Sequence, residues 1–451
     1  MNRIFQIKMK TQVKFNLIVL LVFLCFFLND AISQEVYDLS RCIKTGLEQN
    51  FALQVVRNQE KIAENNYTPG NAGMLPTFAL TNQFAGAINT THQNLSTGDE
   101  MNTSGINDYL GSTEIDLKLN LFKGFQVRNT YQKLGKQSDL GGLTTQMEIE
   151  NLVAKIVSEY NFYIQQLVQY DNLAYAVSLS RERVRIDEQR YLLGGASKLE
   201  LLQSLVYLNA DSSRLARQNE VLRSSQIRLN QLMSSDDPGK NIVLKDTLIR
   251  IEENLAYDEL LELTLSNNTS IQIASKKQVI SELDYKIIRS HSYPYLTFST
   301  RYGYNYNKWE TGNVSNQDLY ALNYGLTLGI DIFDGLNRKR EIKNARIETE
   351  NRNIQYKEVE EEVRADLLTI YYAYQNNLHL LRLEEQNLEV ARENLEIALE
   401  RYKLGSLAGL ELREVQKSLL DAEERLISVK YQTKLAEISL KQISGKILDY
   451  I

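Results

Sequence analysis

The two halves of this chain carry the same sequence motifs in the same order. Leu121-Phe122-Lys123-Gly124 recurs as Ile332-Phe333-Asp334-Gly335, and Arg190-Tyr191-Leu192-Leu193-Gly194 recurs as Arg401-Tyr402-Lys403-Leu404-Gly405. The offset between the two copies stays constant from the first motif onward, so the match needs no gaps. A repeat of about two hundred residues is much longer than the unit of a solenoid protein. We interpret it as the duplication of a half-molecule.

The N-terminus has the layout of a secretory signal peptide. The apolar run Phe15–Leu28 follows several lysines and precedes Ala31-Ile32-Ser33, which offers a cleavage site. The run is too short for a comfortable transmembrane helix, and an uncleaved anchor is the alternative. The predicted segments are a signal peptide over 1–33, a first structural repeat over 34–255 and a second structural repeat over 256–451.

Four segments alternate apolar and polar residues with a period of two, which is the pattern of β-strands. The predicted strands cover about 76–90, 110–122, 294–307 and 319–333. One interpretation is a soluble sandwich, in which one face of the strands packs on a core. The other is a barrel wall that faces lipid on one side and a polar lumen on the other. Strand length and the 26 tyrosines favour the barrel.

Polar loops are expected between the strands of each pair. Asn89–Asp108 and Asn307–Asp318 are rich in Asn, Ser, Thr and Gly, as exterior loops are. Whether the first of these loops serves as a receptor stays open.

Each strand pair is followed by a long proline-free segment, Phe125–Leu193 in the first copy and Leu336–Leu404 in the second. At about 1.5 Å per residue, each would form a helix of about 100 Å. Between Val359 and Tyr402 the apolar residues are spaced by three and four, which indicates a coiled-coil seam. Both segments end at glycine-containing turns, and a second amphipathic helix follows each turn. We expect two antiparallel helical hairpins whose tips lie far from the strands.

Four strands are too few to close a barrel by themselves. The smallest transmembrane barrels have about eight strands, and open sheet edges are not tolerated in lipid. Two copies of the chain would give a barrel with a plugged interior, whereas three copies would give twelve strands and leave a lumen.

With these features the sequence resembles the TolC-like outer-membrane factor family over essentially the whole mature chain. The resemblance rests on the duplicated strand–strand–hairpin order, on the two strand-to-helix motifs and on the twin tip motifs. It implies an α+β membrane protein, a homotrimer with a twelve-stranded β-barrel in outer-membrane lipid and a twelve-helix tunnel across the periplasm. It also implies two further partners, a periplasmic adaptor (membrane fusion protein) and an inner-membrane pump of the RND, ABC or MFS type.

The resemblance also assigns roles to residues at the hairpin tips. In the family, an aromatic residue before the tip glycine and acidic residues after it constrict and charge the entrance. The matching entrance candidates here are Tyr191, Glu200, Tyr402, Glu411 and Glu414. The adaptor-contact candidates are Arg190, Leu193, Gly194, Arg401, Leu404 and Gly405. A family arginine is replaced by Leu407, so a different closure is expected. The alternative for all of these residues is ordinary hairpin packing and a solvated helix face.

The sequence carries no pattern of catalytic or metal-binding residues. His92, His291 and His379 are scattered, and no HExxH, CxxC, P-loop or Gly-x-Ser-x-Gly motif occurs. A net charge of −6 argues against nucleic acid as a partner. We therefore expect no enzyme activity, no cofactor and no metal.

The favoured function is a passive exit duct in a tripartite assembly, with drugs or other small toxic molecules as cargo. Type I protein secretion and metal-ion efflux stay open as alternatives. A non-channel periplasmic coiled-coil scaffold, with its strands in a soluble sandwich, is the alternative from another class.

Overall fold

The structure is a computed structural model, and it describes residues 36–311 and 314–451. The predicted signal peptide, 1–33, lies outside the described residues. In chain order the elements are β1 (Val36–Tyr37), α1 (Leu39–Gln49), α2 (Phe51–Asn66), β2 (Thr77–Asn94), β3 (Glu100–Lys123), α3 (Gln126–Leu192), α4 (Lys198–Leu232), β4 (Val243–Leu244), α5 (Tyr257–Asn267), α6 (Thr269–Ser290), β5 (Tyr295–Lys308), β6 (Asn316–Gly329), α7 (Asn337–Lys403), α8 (Gly409–Ile443) and a 3-10 helix (Ile447–Tyr450).

The same order of elements occurs twice along the chain: a pair of shorter helices, a pair of strands, a very long helix and a second long helix. The long helices α3 and α7 have 67 residues each, and α4 and α8 have 35 residues each. At about 1.5 Å per residue, α3 and α7 are each about 100 Å long. Both begin and end within one residue of the bounds that the proline-free segments predicted. None of the described helices is long and apolar enough to cross a membrane.

Glycines inside α3 allow α2 to pack closely against it. A Cβ added to Gly141 would lie 3.3 Å from the Cβ of Ala63, and one added to Gly135 would lie 3.2 Å from the ring of Tyr67. The helix is assigned as continuous through both glycines. Their cost in helix propensity, about 1 kcal/mol each, is offset by this close approach.

The four long strands form one antiparallel sheet in the order β2-β3-β5-β6. The strand pair β2–β3 extends further than the sequence predicted, because most of the expected loop Asn89–Asp108 is strand and only a short turn separates Asn94 from Glu100. The prediction failed there because this part of the hairpin is polar on both faces, so no apolar period marks it. Backbone pairing continues regardless, and His92 Nδ1 lies 2.5 Å from Asn102 Oδ1 across the two strands.

The second strand pair also differs from its predicted bounds. The loop expected over Asn307–Asp318 is shorter, since β5 runs to Lys308 and β6 starts at Asn316. At its other end β6 stops at Gly329, so the apolar residues up to Phe333 continue outside the regular strand.

The apolar face of this sheet is exposed, and both of its edges are open. Strands β2 and β6 each pair with one neighbour only among the described strands. The large apolar side chains that remain exposed include Phe78, Leu80, Phe84, Ile88, Tyr320, Leu322, Tyr324, Leu326 and Leu328. A contiguous apolar surface of this kind marks contact with lipid or with another protein chain.

The largest apolar core lies away from the sheet, around the middle of α3, where α1, the β1–β4 pair and the C-terminal part of the chain meet. Ile43, Ile156 and Tyr160 are fully buried in it. Cys42 is free and belongs to the same core, and burial raises the pKa of its thiol to about 12. This core fixes the long helices at mid-length, so the sheet extends from one end and the hairpin tips from the other.

Candidate functional site at the hairpin tips

Both hairpins turn through the same backbone conformation. Gly194 has a φ of +76° and Gly405 a φ of +79°, the left-handed region that glycine adopts without a steric cost. In the first tip the Gly195 N–H donates to the carbonyl of Arg190, at 2.7 Å. The equivalent bond in the second tip runs from the Ser406 N–H to the carbonyl of Arg401, at 2.9 Å. The twin sequence motif therefore encodes one helix-ending turn, used twice.

Tyr402 joins the two hairpins near their tips. Its side chain is 3 % exposed, and its hydroxyl donates a hydrogen bond to the carboxylate of Asp187 on α3. The guanidinium of Arg190 donates to the backbone carbonyl of Tyr402 and lies 4.7 Å from the centre of its ring. Burial, reinforced by Asp187, raises the pKa of Tyr402 to about 12. The phenol is therefore a protonated donor at neutral pH.

A buried arginine lies beside this contact. The guanidinium of Arg183 is 3.6 Å from the Asp187 carboxylate, and both side chains are almost fully buried. Its Nε and Nη1 have no hydrogen-bond partner within the described residues. A Cβ on Gly409, the first residue of α8, would lie 2.8 Å from Arg183 Nη2. The absence of a side chain at Gly409 is thus what admits the arginine between the hairpins.

A second ion pair connects α8 with α4. Arg413 binds both carboxylate oxygens of Asp211, at 2.7 and 2.8 Å, and Asp211 also accepts a hydrogen bond from Ser180 on α3 at 2.5 Å. The neighbouring carboxylate raises the pKa of Arg413. The ring of Tyr207 lies between the two arginines, 5.2 Å from the guanidinium carbon of Arg183 and 5.0 Å from that of Arg413. Cation–π contacts of this geometry are favourable where the cation is desolvated.

An apolar cluster completes the joint between the hairpins. Its buried members lie on α7 and α8 and include Leu395, Tyr402 and Leu412. Ile186 of α3 and Leu407 of the tip pack against it. Leu407 is therefore part of an apolar contact, and the charged contacts of this joint come from Arg183 and Arg413.

The structure places the five entrance candidates in different surroundings. Tyr191, Glu411 and Glu414 are exposed. Glu200 forms a capping box at the start of α4, where its carboxylate accepts from the Ser197 N–H at 2.9 Å. Only Tyr402 is buried, between the hairpins. The tip thus brings Tyr402 together with Asp187 and leaves the other four candidates in contact with solvent.

The adaptor-contact candidates form the outermost surface of the tips, with one exception. Leu193 is 86 % exposed and Leu404 is 83 % exposed. Gly194, Gly405 and Arg401 are exposed as well. Arg190 is half-buried, because its guanidinium is held against Tyr402. Each hairpin thus ends in a large apolar side chain that has little contact inside the chain and is available to another protein.

Sequence reasoning missed the residues that hold the hairpins together: Arg183, Asp187, Tyr207, Asp211 and Arg413. One signal for them exists in α4, where buried polar residues recur every seven positions. They are Ser204, Asp211, Gln218 and Ser225. Polar residues at the seam of a coiled coil specify register. Gln218 and Ser225 form such contacts across the seam, since they donate hydrogen bonds to Gln166 and Glu159 of α3.

No group of three or more His, Cys, Asp or Glu side chains that could hold a metal ion is found over 36–311 and 314–451. The site is a set of contacts between helices.

Comparison with known proteins shows a similarity to one family and to one curated protein. Residues 260–446 match the outer membrane efflux protein family. Outer membrane protein TolC of Vibrio cholerae serotype O1 is 21 % identical over 334 residues, which cover 71 % of this chain and 72 % of that protein.

Two solved structures are similar in fold to the described chain. The outer membrane protein VceC from Vibrio cholerae has a TM-score of 0.75 at 16 % identity, over 90 % of this chain and 96 % of that one. The Campylobacter jejuni CmeC outer membrane channel has a TM-score of 0.74 at 16 % identity, over 90 % of this chain and 85 % of that one. Residues 260–446 are thus similar to the outer membrane efflux protein family, and the described chain has the fold of VceC and CmeC.

Proposed function

We propose that three copies of this chain form a continuous exit duct, with a shared β-barrel in the outer membrane and a helical tunnel in the periplasm. The observation that carries the proposal is the four-stranded sheet with two open edges and an exposed apolar face. Unpaired backbone groups are too costly in lipid to leave the sheet open. Pairing β6 of one copy with β2 of the next removes every edge, and twelve strands leave a lumen.

The helices support the same architecture. Apolar side chains remain exposed along α7, among them Ile347, Ile354, Tyr372, Val390 and Ile397. Spread along a helix of about 100 Å, they suit packing against a neighbouring copy over the length of a tunnel. The apolar core at the middle of α3 fixes the position of the hairpins relative to the strands within one copy. In a ring of copies, the barrel would therefore continue directly into the tunnel.

The duct would act with two partners. A periplasmic adaptor would contact the exposed tip side chains Leu193 and Leu404 and the turn around Gly194 and Gly405. An inner-membrane pump would supply the energy for transport through the passive duct. We propose drugs or other small molecules as the cargo. Bore width and lining charge would set the selectivity of such a passive duct.

At the entrance, Tyr402, Arg183 and Arg413 would hold the two hairpins of each copy together in a closed arrangement. The exposed carboxylates of Glu411 and Glu414 would add negative charge to the mouth of the tunnel. Opening would require the contacts to Asp187 and Asp211 to break, and adaptor binding at the tips would supply the free energy for that step.

The native mass of the protein extracted from outer membranes in mild detergent tests the proposal. We expect a trimer that needs detergent to remain soluble. A monomer or dimer released without detergent would contradict the duct and favour a periplasmic scaffold.

Transport is tested in cells that lack the gene. We expect loss of the protein to raise susceptibility to several unrelated small toxic compounds, and the native gene to restore resistance. A Leu193→Asp and Leu404→Asp double variant that still reaches the outer membrane as a trimer should fail to restore it. Full restoration by that variant would rule out adaptor docking at the apolar tips.

A further inference from the structure

The two residues that start the long helices have an unusual backbone. Phe125 and Leu336 each have a φ of 67°, in the left-handed region, and no side-chain cap. A residue at this position normally has an extended backbone and a Ser, Thr, Asp or Asn side chain that caps the helix. A bulky residue with positive φ is a conformational outlier. The strain occurs twice, at equivalent positions of the repeat.

Packing inside the chain covers these two side chains only in part, and the Phe125 ring contacts those of Phe122 and Tyr293. The side chain of Phe125 is 57 % exposed and that of Leu336 is 63 % exposed. Glycine would adopt the same backbone without strain, as the preceding Gly124 and Gly335 do with φ of 57° and 70°. Strained residues persist where they serve a function. More than half of the surface of each of these side chains therefore stays available for a contact outside the chain.

Phe125 continues the apolar face of the sheet. A β-bulge between Asn120 and Phe122 shifts the register, so Phe122 pairs with Leu296 and lies on the same face as Leu119 and Phe298. The ring of Phe125 packs edge-to-face on Phe122, with 5.2 Å between centroids. The exposed apolar surface of the sheet thus extends past the last strand residue onto the start of α3.

Two further features point to the boundary of the bilayer. The exposed basic residues Lys123 and Arg128 flank Phe125 in sequence, and their charge suits lipid phosphates. Strand β3 lies between β2 and β5, so the position after it is not at the edge where copies would join. Leu336 follows the edge strand β6, so another copy of the chain could cover it. The decisive test therefore uses Phe125.

We propose that Phe125 and Leu336 are lipid wedges, which insert at the headgroup–acyl boundary of the periplasmic leaflet and set the depth of the sheet in the outer membrane. The occupant is the phospholipid surface itself. This inference rests on the proposed barrel.

Tryptophan fluorescence measures the depth of Phe125 directly. The chain has 1 Trp, and Trp309→Phe removes it. In that background, Phe125→Trp, Tyr302→Trp and Leu404→Trp each report one position in the full protein reconstituted into phosphatidylethanolamine–phosphatidylglycerol vesicles. The vesicles carry nitroxide lipids labelled either near the headgroup or near the end of the acyl chain. Tyr302 is the sheet reference, on the apolar face of β5, and Leu404 is the exposed apolar control at the far tip.

We expect the tryptophan at position 125 to be quenched more by the shallow label, the one at 302 more by the deep label, and the one at 404 by neither. Quenching at 302 without quenching at 125 overturns the wedge and leaves the duct standing. Absence of quenching at 302 overturns the barrel, and the wedge with it.

A glycine variant separates the lipid role from a structural one. Phe125→Gly relieves the backbone strain, so a purely structural role predicts a protein of equal or greater thermal stability with an unchanged depth. The wedge predicts that the ratio of deep to shallow quenching at Tyr302→Trp changes in Phe125→Gly, and that Phe125→Leu restores it. An unchanged ratio in the double variant Phe125→Gly, Leu336→Gly would refute the proposal.

Discussion

Tyr402 of α7 and Asp187 of α3 join the two helical hairpins of one chain by a hydrogen bond from the phenol to the carboxylate. Both side chains are buried, and Arg190 holds the backbone of the same tyrosine. The two hairpins therefore cannot separate at their tips without breaking the hydrogen bond that the Asp187 carboxylate accepts from Tyr402. For the proposed duct, we infer that closure of the entrance depends on contacts inside each protomer.

Removal of the Tyr402 hydroxyl should loosen the tips. Tyr402→Phe keeps the ring but leaves Asp187 without its donor, a loss of about 1.5–3 kcal/mol for a hydrogen bond to a charged group. We expect faster hydrogen exchange at the tip amides and a larger conductance in planar bilayers. Tyr191→Phe, at the equivalent exposed position of the first hairpin, is the matched control and should change neither. Equal effects of the two variants would show that Tyr402 has no special role.

The pair Arg413–Asp211 should behave as a coupled unit. Removal of one partner of a buried pair costs about 3–5 kcal/mol, because the other charge stays buried. We expect Arg413→Met and Asp211→Asn each to make the tips sensitive to limited proteolysis. The exchanged pair Asp211→Arg, Arg413→Asp should recover part of the resistance.

The control for this pair is Arg185→Gln, which removes an exposed pair with Glu182 inside α3. Exposed pairs contribute little to stability, so this variant should match the native protein. Additive effects of the Arg413 and Asp211 variants, with no recovery on exchange, would argue against the coupling.

Two equivalent glycines should differ in their tolerance of a side chain. Gly124 and Gly335 both have positive φ, so alanine at either costs about 1–2 kcal/mol in backbone strain. A Cβ on Gly124 would also lie 2.3 Å from the carbonyl oxygen of Ser290, whereas one on Gly335 meets nothing closer than 3.7 Å. We expect Gly124→Ala to lower the melting temperature of the detergent-solubilised protein clearly more than Gly335→Ala does. Equal losses would mean that the end of α6 moves aside freely.

The half-buried carboxyl of Glu159 should make the free energy of unfolding fall as pH rises. Burial raises its pKa above the ordinary value of 4.5, so the folded protein binds this proton more tightly than the unfolded chain does. The stabilisation is complete below the unfolded pKa and is lost as pH rises through the folded pKa. Glu159→Gln mimics the protonated group and retains an acceptor for Ser225.

We therefore expect Glu159→Gln to melt at a higher temperature than the native protein at about pH 7.5, with the difference disappearing towards about pH 4. A variant that melts lower at both pH values would show that the carboxylate stabilises the fold in its charged form.

Local features of the fold could be predicted from the sequence, because each depends on residues that are neighbours along the chain. The alternation from Tyr320 to Leu328 marks a strand by its period. The spacing of apolar residues up to Tyr402 marks a long helix. Gly194 and Gly405 mark the turns, since both require positive φ. The alternation fails at His92, where both faces of the hairpin are polar and no period remains.

The contacts between hairpins could not be predicted in the same way. Tyr402 is 215 residues from Asp187, and Arg413 is 202 residues from Asp211. Their pairing depends on how α3, α4, α7 and α8 rotate against one another. The recurrence of Asp211 and Gln218 at seven-residue spacing marks a polar seam, yet it does not name the partner.

The sequence by itself determined the duplicated order of elements, the two strand pairs, the lengths of α3 and α7 and the glycine turns, since these follow from periodicity and from backbone conformations that few residues adopt. The tertiary structure decided which charges are buried and which are solvated. Tyr402 and Glu411 are both polar residues near one tip, and only packing separates a desolvated hydrogen bond from an exposed carboxylate. The free energy of desolvating a polar group depends on which groups surround it in the folded protein. The order of residues along the chain does not specify those groups.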